Sequence, residues 1–407
     1  MKILLFNGNG RVTNTVGGAE KVFCNFANEF VKRGFEVAAM YNDVAARPPV
    51  YPIDAKVRLF NLNGSGRESA RLLAAKCWRE ISKPLRKTPF APIFPDFYRL
   101  LKRRVARPKI DAVLNDFRPD VVVTFFIEDA KTLFFDRPTT DFATIQMLHN
   151  VPSQSIPAPT REDRETLERC DLVQVLMKNF VPRVRSLCST EIAVLPNVVP
   201  QFEESVDVER REQAGSPRII CVGRLHKKSK RQHLAIEAFA QIAADVPDWT
   251  LCFFGTDYKR GRYRRFLERL IARLELQNRV FVQDSTPNVR EELARSDIFA
   301  FPSAFEGFGL ALAEAFSAGL PAVGFADAPA VNELIIDGEN GFLATDVDDF
   351  AQKLKTLIDS KELRRQFGAN AKKSVEKYEA SKVWDAWETL VRETVEKKRA
   401  QNADSRR

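Results

Sequence analysis

The sequence predicts an α/β protein built as two similar halves, each a parallel sheet covered by helices. Three observations predict it. Short apolar runs alternate with helical segments along the chain, the order that gives parallel strands with helices on the sheet faces. The runs are rich in β-branched and aromatic residues and lack strict alternation, as strands buried on both faces do. The pattern breaks between Pro196 and Pro217 and then restarts. A chain of 407 residues fits two or three domains at about 100–200 residues each.

In order, Ile3–Phe6 reads as a strand, Gly18–Arg33 as a helix and Phe35–Met40 as a strand. Val121–Phe125, Phe142–Met147 and Ile192–Leu195 are further strands. The break holds three prolines, a charged run from Glu203 to Glu212 and Gly215, the composition of an interdomain linker. After it, Arg218–Val222 is a strand, Arg231–Ala244 a helix, Thr250–Phe254 a strand and Tyr263–Leu274 a helix. Val280–Val282 and Ile298–Phe301 are strands, and Leu310–Ala318 is a helix. Helical stretches Val347–Ser360, Glu362–Tyr378 and Ser381–Lys398 close the pattern. The expected division is 1–196, a linker 197–216, a second domain 217–378 and a C-terminal helix with a basic tail, 379–407, packing back towards the first domain. Two Rossmann-like domains facing a central cleft would bind ligands at the carboxyl ends of their strands.

Composition narrows the function. Apolar residues make up 44% and charged residues 29%, the profile of a soluble globular enzyme. A net charge of +9 favours anionic partners: nucleotides, nucleic acid or an acidic membrane face. The six cysteines never come closer than 18 residues, which excludes C-x-x-C zinc and redox motifs and argues against a disulfide framework. With three histidines in all, a three-His metal site would need every one of them. A reducing cytoplasm is the expected compartment. The start MKILLF turns polar at Asn7, too short an apolar run for a secretory signal. From Ile298 to Ala326 the only formal charges are Glu306 and Glu314. Pro302, Pro321 and several glycines interrupt that window, so a buried strand, loop and helix is expected rather than a membrane span.

Three places carry chemistry. Gly17-Gly18-Ala19-Glu20 opens a helix after the first strand; glycines there let backbone N–H groups approach a phosphate, or simply make a flexible turn. The dinucleotide fingerprint is not met, because Gly8-Asn9-Gly10 is followed by Thr13. Val222-Gly223-Arg224-Leu225 ends a strand with Lys230 just beyond. An arginine fork and a lysine point charge at that spacing suit one diphosphate; Lys227, Lys228 and Arg231 beside them also read as a solvated basic loop. The strongest place is Glu306-Gly307-Phe308-Gly309-Leu310 with Glu314 on the following helix. A helix N-terminus opened by glycines attracts anions. Carboxylates in so apolar a window cost several kcal/mol if buried without partners, and sugar and ribose hydroxyls are suitable partners.

Taken together, these motifs resemble the family 4 glycosyltransferases of the GT-B fold, of the kind that build bacterial cell-surface polysaccharide and lipopolysaccharide. The matching pieces are Gly17-Gly18-Ala19-Glu20, His149-Asn150, Leu195-Pro196-Asn197-Val198, Val222-Gly223-Arg224-Leu225 with Lys230, and the E-x7-E pair Glu306 and Glu314. Asn332-Glu333-Leu334 and Asn340-Gly341-Phe342 also fit. The resemblance implies metal-independent transfer of a sugar, with retained anomeric configuration, from a nucleotide diphosphate sugar. A UDP-sugar is the leading donor, and no cofactor or metal is implied. Position by position, it gives Arg224 and Lys230 the diphosphate, Glu306 the donor-sugar hydroxyls and Glu314 the ribose. The backbone of Phe308, Gly309 and Leu310 would support the sugar and phosphate. Gly17 and Gly18 would approach the donor, and His149 would lie near the reacting carbon.

The sequence departs from the pattern in places. One extra residue separates Leu225 from Lys230, so Lys227 or Lys228 can share the phosphate role. Gly255-Thr256-Asp257 lacks a second glycine, and Asp284 stands where glycine is common, leaving the donor base open. Asp346-Val347-Asp348 imitates a metal-binding D-x-D but precedes a helical segment, where an N-cap is expected. The rival readings are a GT-B nucleotide-sugar epimerase or hydrolase and a basic nucleic-acid-binding protein. No recognisable nucleic-acid module supports the last, and no nucleic-acid partner is expected.

A basic stretch remains. From Arg67 to Lys109 thirteen Lys or Arg face only Glu68, Glu80 and Asp96, with Trp78, Phe90, Phe94, Phe97 and Tyr98 interleaved. Each basic residue near an anionic surface is worth ~1 kcal/mol, and aromatic rings sit at headgroup depth. The expected partners are therefore a nucleotide sugar, a glycan or lipid-linked acceptor and an anionic membrane surface. The attachment would be peripheral, on the inner face of the cytoplasmic membrane.

Overall fold

The computed structural model describes all residues except 9–11, 14–17, 44–48, 64–69, 83–96, 138, 157, 203–216, 258–260 and 405–407. The chain forms two compact units. The first comprises Met1–Val175, Val181–Val194 and Ala386–Arg407; the second comprises Leu176–Phe180 and Leu195–Asp385.

The first unit holds a seven-stranded sheet, all parallel. Its strands are β1 (Lys2–Asn7), β2 (Glu36–Tyr41), β3 (Arg58–Asn61), β4 (Val121–Thr124), β5 (Ala143–Leu148), β6 (Leu172–Val175) and β7 (Ile192–Val194), in the order β3-β2-β1-β4-β5-β6-β7. Helices α1 (Gly18–Lys32), α2 (Ala70–Ser82), α3 (Phe97–Phe117), α4 (Ile127–Phe134) and α5 (Arg161–Glu168) connect them. Helix α1 forms because Phe23, Phe26, Ala27 and Phe30 fall at i, i+3, i+4 and i+7, and all four are fully buried. Leu4, Phe6, Met40 and Val122 of the sheet pack with Ile110, Leu114 and Phe117 of α3 and Leu133 of α4.

The second unit holds a six-stranded sheet, again all parallel, in the order β10-β9-β8-β11-β12-β13. Its strands are β8 (Arg218–Val222), β9 (Thr250–Phe254), β10 (Val280–Gln283), β11 (Ile298–Phe301), β12 (Ala322–Phe325) and β13 (Gly341–Ala344). The longer helices are α6 (Gln232–Ile242), α7 (Arg262–Arg273), α8 (Leu310–Ser317), α9 (Val347–Asp359) and α10 (Lys361–Val375). Phe253, Phe299, Phe301, Phe316 and Phe350 are among its fully buried side chains.

The last helix, α11 (Ala380–Asp404), contributes most of its length to the first unit. There Trp387 meets Phe26 edge to face at 5.0 Å, and Lys398 pairs with Asp171 at 3.0 Å. Arg399 pairs with Asp120 at 2.6 Å.

Four strands were absent from the sequence reading: β3, β6, β12 and β13. The span-like window from Ile298 to Ala326 resolves into β11, a loop, α8 and β12. Among the described residues, no helix is long and apolar enough to cross a membrane. Asp346 caps α9, its Oδ1 accepting the Asp349 N–H at 2.8 Å, as expected of the D-x-D look-alike. All six cysteines are free thiols, and only Cys77 is exposed.

The order of each sheet reverses once, between β1 and β4 and between β8 and β11. Strand ends at such a reversal form the crevice where doubly wound sheets bind ligands. The chemistry-bearing loops of the sequence follow β1, β5, β8 and β11.

Candidate functional site in the loops after β8 and β11

In the second unit, β8 ends at Val222 and runs on into Gly223 and Arg224. A Cβ on Gly255 would lie 2.0 Å from the Gly223 carbonyl oxygen, so only glycine permits the ends of β8 and β9 to approach this closely. The chain then makes one tight turn: the N–H groups of Lys230 and Arg231 donate to the His226 carbonyl at 2.9 and 3.2 Å. His226 Nδ1 sits 2.7 Å from Ser229 Oγ. Buried Gln232 donates from Nε2 to the Arg224 carbonyl at 2.9 Å, closing the turn onto the strand end.

Three hydrogen bonds sew this turn to the loop after β11. Arg231 donates to the carbonyls of Pro302 at 2.9 Å and Ser303 at 3.0 Å, and the Ala304 N–H donates to the Ser229 carbonyl at 2.8 Å. The Arg231 guanidinium also stacks 4.6 Å from the Phe325 ring centre. Burial pushes its pKa down while Asp327 pulls it up, and the net direction is down.

The result is a direct contact between Lys230 Nζ and Glu306 Oε1, with the two side chains 17% and 12% exposed. The ammonium lies 5.6 Å from the Phe301 ring centre. Glu306 is itself held through its N–H, which donates to the Pro329 carbonyl at 3.1 Å. Gly309 (φ +89°) is the N-cap of α8 and supplies no side-chain cap, which leaves the positive end of the helix without a protein carboxylate from its cap. Phe308 is buried edge to face against Tyr378 at 5.2 Å. Leu310 opens α8, and half-buried Glu314 lies one turn along it.

Arg224 is exposed and makes no ion pair with any described residue. Lys227 rests over the Phe266 ring at 4.4 Å, and Lys228 is exposed; of the lysines in this loop, Lys230 is the one turned onto Glu306. Asp257 accepts the N–H groups of Tyr263 at 2.7 Å and Arg264 at 3.2 Å, so it occupies the N-terminus of α7. Asp284, 81% exposed, pairs with Arg264 at 2.5 Å.

The first unit contributes its own strand-end residues. Buried Asp129, at the start of α4, accepts the Gly8 N–H at 3.0 Å and the Phe126 N–H at 3.1 Å, tying the loop after β1 to the one after β4. His149 follows β5 and stacks on Phe125 at 4.9 Å. Its Nε2 is shielded from solvent without a hydrogen-bond partner among the described residues. Burial pushes its pKa down to about 4, so the ring is neutral near pH 7. Gly18 opens α1 with open space where a side chain would stand. Gly17 lies outside the described residues.

The structure therefore joins Lys230 to Glu306, leaves Arg224 exposed at the start of the same loop and places His149 and Gly18 in the first unit. Sequence reasoning missed Arg231, Gln232 and Asp129. Arg231 was visible only as one more cation of a basic run. Asp129 carries no motif signal at all.

The basic stretch is less uniform than its sequence. Arg67, Lys83, Arg86 and Lys87, with Phe90 and Phe94, lie outside the described residues. Arg103 is buried and pairs with Glu128 at 3.1 Å and with Glu162. Arg107 binds Asp111 at 2.6 Å and the Phe135 carbonyl, and Lys109 donates to the Leu62 carbonyl. These three cations hold elements of the first unit together.

Comparison with known proteins follows the same division. Residues 203–374 match the family model for glycosyl transferases group 1. An exopolysaccharide phosphotransferase of Streptomyces coelicolor is 31% identical over 54% of this chain, a match that spans 23% of that longer protein. An uncharacterized glycosyltransferase of Haemophilus influenzae is 22% identical over 93% of this chain and 97% of its own. Among solved structures, the Anabaena protein HepE in complex with UDP and glucose superposes with a TM-score of 0.67 at 20% identity, covering 96% of this chain and 99% of that one. The protein has the GT-B fold, and the stretch that matches the glycosyl transferases group 1 model lies in its second unit.

Proposed function

We propose that the protein is a retaining, metal-independent glycosyltransferase of family 4. It moves a sugar from a nucleotide diphosphate sugar, a UDP-sugar foremost, to a glycan or lipid-linked acceptor in cell-surface polysaccharide or lipopolysaccharide synthesis. The observation that carries the reading is the Lys230–Glu306 contact at the strand-order reversal, with an open helix N-terminus and with Arg224, exposed and without an ion pair among the described residues, in the same loops. A cation, a carboxylate and free backbone N–H groups in one loop pair are the complement of a diphosphate joined to a polyhydroxylated sugar.

The chemistry follows from charge. As the glycosidic bond lengthens, negative charge gathers on the departing diphosphate. Arg224, Lys230 and the N-terminus of α8 are fixed beforehand to stabilise it, so little reorganisation is needed during reaction. The Phe308, Gly309 and Leu310 backbone cradles the sugar and phosphate. Glu306, already oriented by Lys230, accepts from donor-sugar hydroxyls, and Glu314 accepts from the ribose. Gly17 and Gly18 give the donor close backbone approach. His149, neutral and unpartnered at Nε2, exchanges a hydrogen bond with the donor sugar near the reacting carbon without adding charge.

The acceptor is met at the inner face of the cytoplasmic membrane, which the basic 67–109 stretch approaches peripherally. A panel of UDP-, GDP- and ADP-sugars scored by thermal shift tests the donor reading. Stabilisation by at least one of them, with release of its nucleoside diphosphate, is expected. A flat response to the whole panel would overturn it.

A further inference from the structure

Helix α2 carries an apolar stripe that no described residue of its unit covers. Ala74, Cys77, Trp78 and Ile81 follow the i, i+3, i+4, i+7 spacing that puts side chains on one helix face, and all four are exposed. Trp78 is 47% exposed and Ile81 70%. Among the described residues, eight large hydrophobics are exposed, and four of them sit on α2 and α3: Trp78, Ile81, Leu100 and Val105. The two helices touch where the Arg79 guanidinium stacks 5.1 Å from the Tyr98 ring centre.

The surroundings of the stripe are cationic. Between Ala70–Ser82 and Phe97–Ile110 the sequence places nine Lys or Arg against the single acid Glu80. Arg103, Arg107 and Lys109 are turned to protein partners, Arg79 pairs with Glu80 at 3.4 Å and Arg99 with Glu128 at 3.3 Å. Lys76, Arg99 and Arg104 are exposed, and Arg104 makes no ion pair with any described residue. An exposed tryptophan and isoleucine on one helix face, ringed by cations, is the composition of a helix lying in a headgroup layer. Its charge complements anionic lipid, while its apolar stripe needs a surface that admits side chains.

We infer that the Ala74–Cys77–Trp78–Ile81 face of α2, with Leu100, Arg104 and Val105 of α3, is the part of the protein that enters an anionic bilayer. This deepens the membrane part of the proposed function and rests on it. It assigns insertion to the apolar stripe and headgroup contact to the outward cations, and it takes Arg103, Arg107 and Lys109 out of the docking surface.

The molecule supplies its own reporter. Of the four tryptophans, Trp249, Trp384 and Trp387 are buried, so Trp78 is the exposed one. It also supplies a control: α7 presents exposed Arg262, Arg269 and Arg273, while its apolar Tyr263, Leu267, Leu270 and Ile271 are buried. The test uses the full chain with vesicles of phosphatidylglycerol in phosphatidylcholine, and of phosphatidylcholine alone, carrying brominated acyl chains in either case. Binding to the anionic vesicles with quenching of Trp78 emission is expected. Ile81→Asp should lower the partition coefficient by about tenfold or more, as loss of one buried aliphatic side chain does, with its thermal midpoint and nucleoside diphosphate binding unchanged. The triple variant Arg262→Glu, Arg269→Glu, Arg273→Glu should bind vesicles within about threefold of wild type. Anionic vesicle binding without Trp78 quenching, and with Ile81→Asp at wild-type strength, would overturn this inference and leave the broader membrane reading in place. No binding to anionic vesicles would overturn both.

Discussion

Removing either partner of the Lys230–Glu306 pair should damage both the fold of the second unit and the reaction, in a ratio that the structure sets. Exposed ion pairs are worth about 0–1 kcal/mol, and breaking a fully buried one costs about 3–5 kcal/mol. With side chains 17% and 12% exposed, this pair lies between, and a coupling energy of about 2 kcal/mol is expected from a double-mutant cycle of Lys230→Ala, Glu306→Ala and the double variant. The single variants are not equivalent. Lys230→Ala also removes the cation from the Phe301 ring at 5.6 Å, an interaction worth about 0.5–2 kcal/mol, so it should cost more than Glu306→Ala. In a unit of this size about 2 kcal/mol shifts the melting midpoint by about 4–8 °C. The assay is urea and thermal unfolding of the four proteins beside donor turnover. Glu306→Ala should reduce turnover by at least about a hundredfold, the scale of one lost transition-state contact, while folding at assay temperature. A coupling below about 0.5 kcal/mol, or turnover by Glu306→Ala within threefold of wild type, would refute the reasoning.

Other outcomes follow from the same geometry. Arg231→Ala should lose its bonds to the Pro302 and Ser303 carbonyls and about 2 kcal/mol of stability, lowering kcat. Arg231→Lys should recover only part of this, since an ammonium cannot reproduce the planar fork; full recovery would exclude the fork as the cause. Gly255→Ala places a methyl group against the Gly223 carbonyl and should cost about 3 kcal/mol by overpacking, with weakened nucleoside diphosphate affinity; a wild-type melting midpoint would contradict the close approach. His149 and His233 are both pushed down from 6.5 to about 4 by burial, with Lys227 and Arg231 adding to the effect at His233. The folded state then binds fewer protons than the unfolded one between these values. Their stabilisation is therefore present above about pH 6.5 and is lost as pH falls towards 4. His149→Gln should flatten that slope, and an unchanged slope would show that the ring titrates normally.

Legibility in the sequence tracked how a segment is buried. β8, β9 and β11 were read to the residue, because each is a run of branched and aromatic side chains stopped by a turn residue. β3 was missed as the edge strand of its sheet, with Arg58 and Leu59 exposed and no apolar run to detect. β6 was missed because Gln174 interrupts four residues, although the tertiary fold buries it completely. Glycines inside β12 and β13 weaken a strand signal that the parallel neighbours restore. Pro108 lies within α3, where local rules place a break.

The candidate site divides the same way. Glu306 stood out because a carboxylate is rare in so apolar a window, and Arg224 and Lys230 because they follow a strand end. Arg231 could not be separated from its basic neighbours, since its role depends on the turn that aims it at Pro302 and Ser303. Asp129 ties Gly8 to Phe126 across 121 and 3 residues of chain, and no local pattern reports a contact that depends on strand order.

The account's central claim is that the loops after β8 and β11 hold the diphosphate of a nucleotide sugar. Calorimetric titration of nucleoside diphosphates into wild type, Arg224→Ala and Lys230→Ala tests it most directly. The account predicts saturable one-to-one binding by wild type and a loss of about 2–5 kcal/mol in each variant, the cost of truncating one side of a desolvated charge contact. Affinity unchanged in both variants, or no binding of any nucleoside diphosphate by wild type, would contradict it.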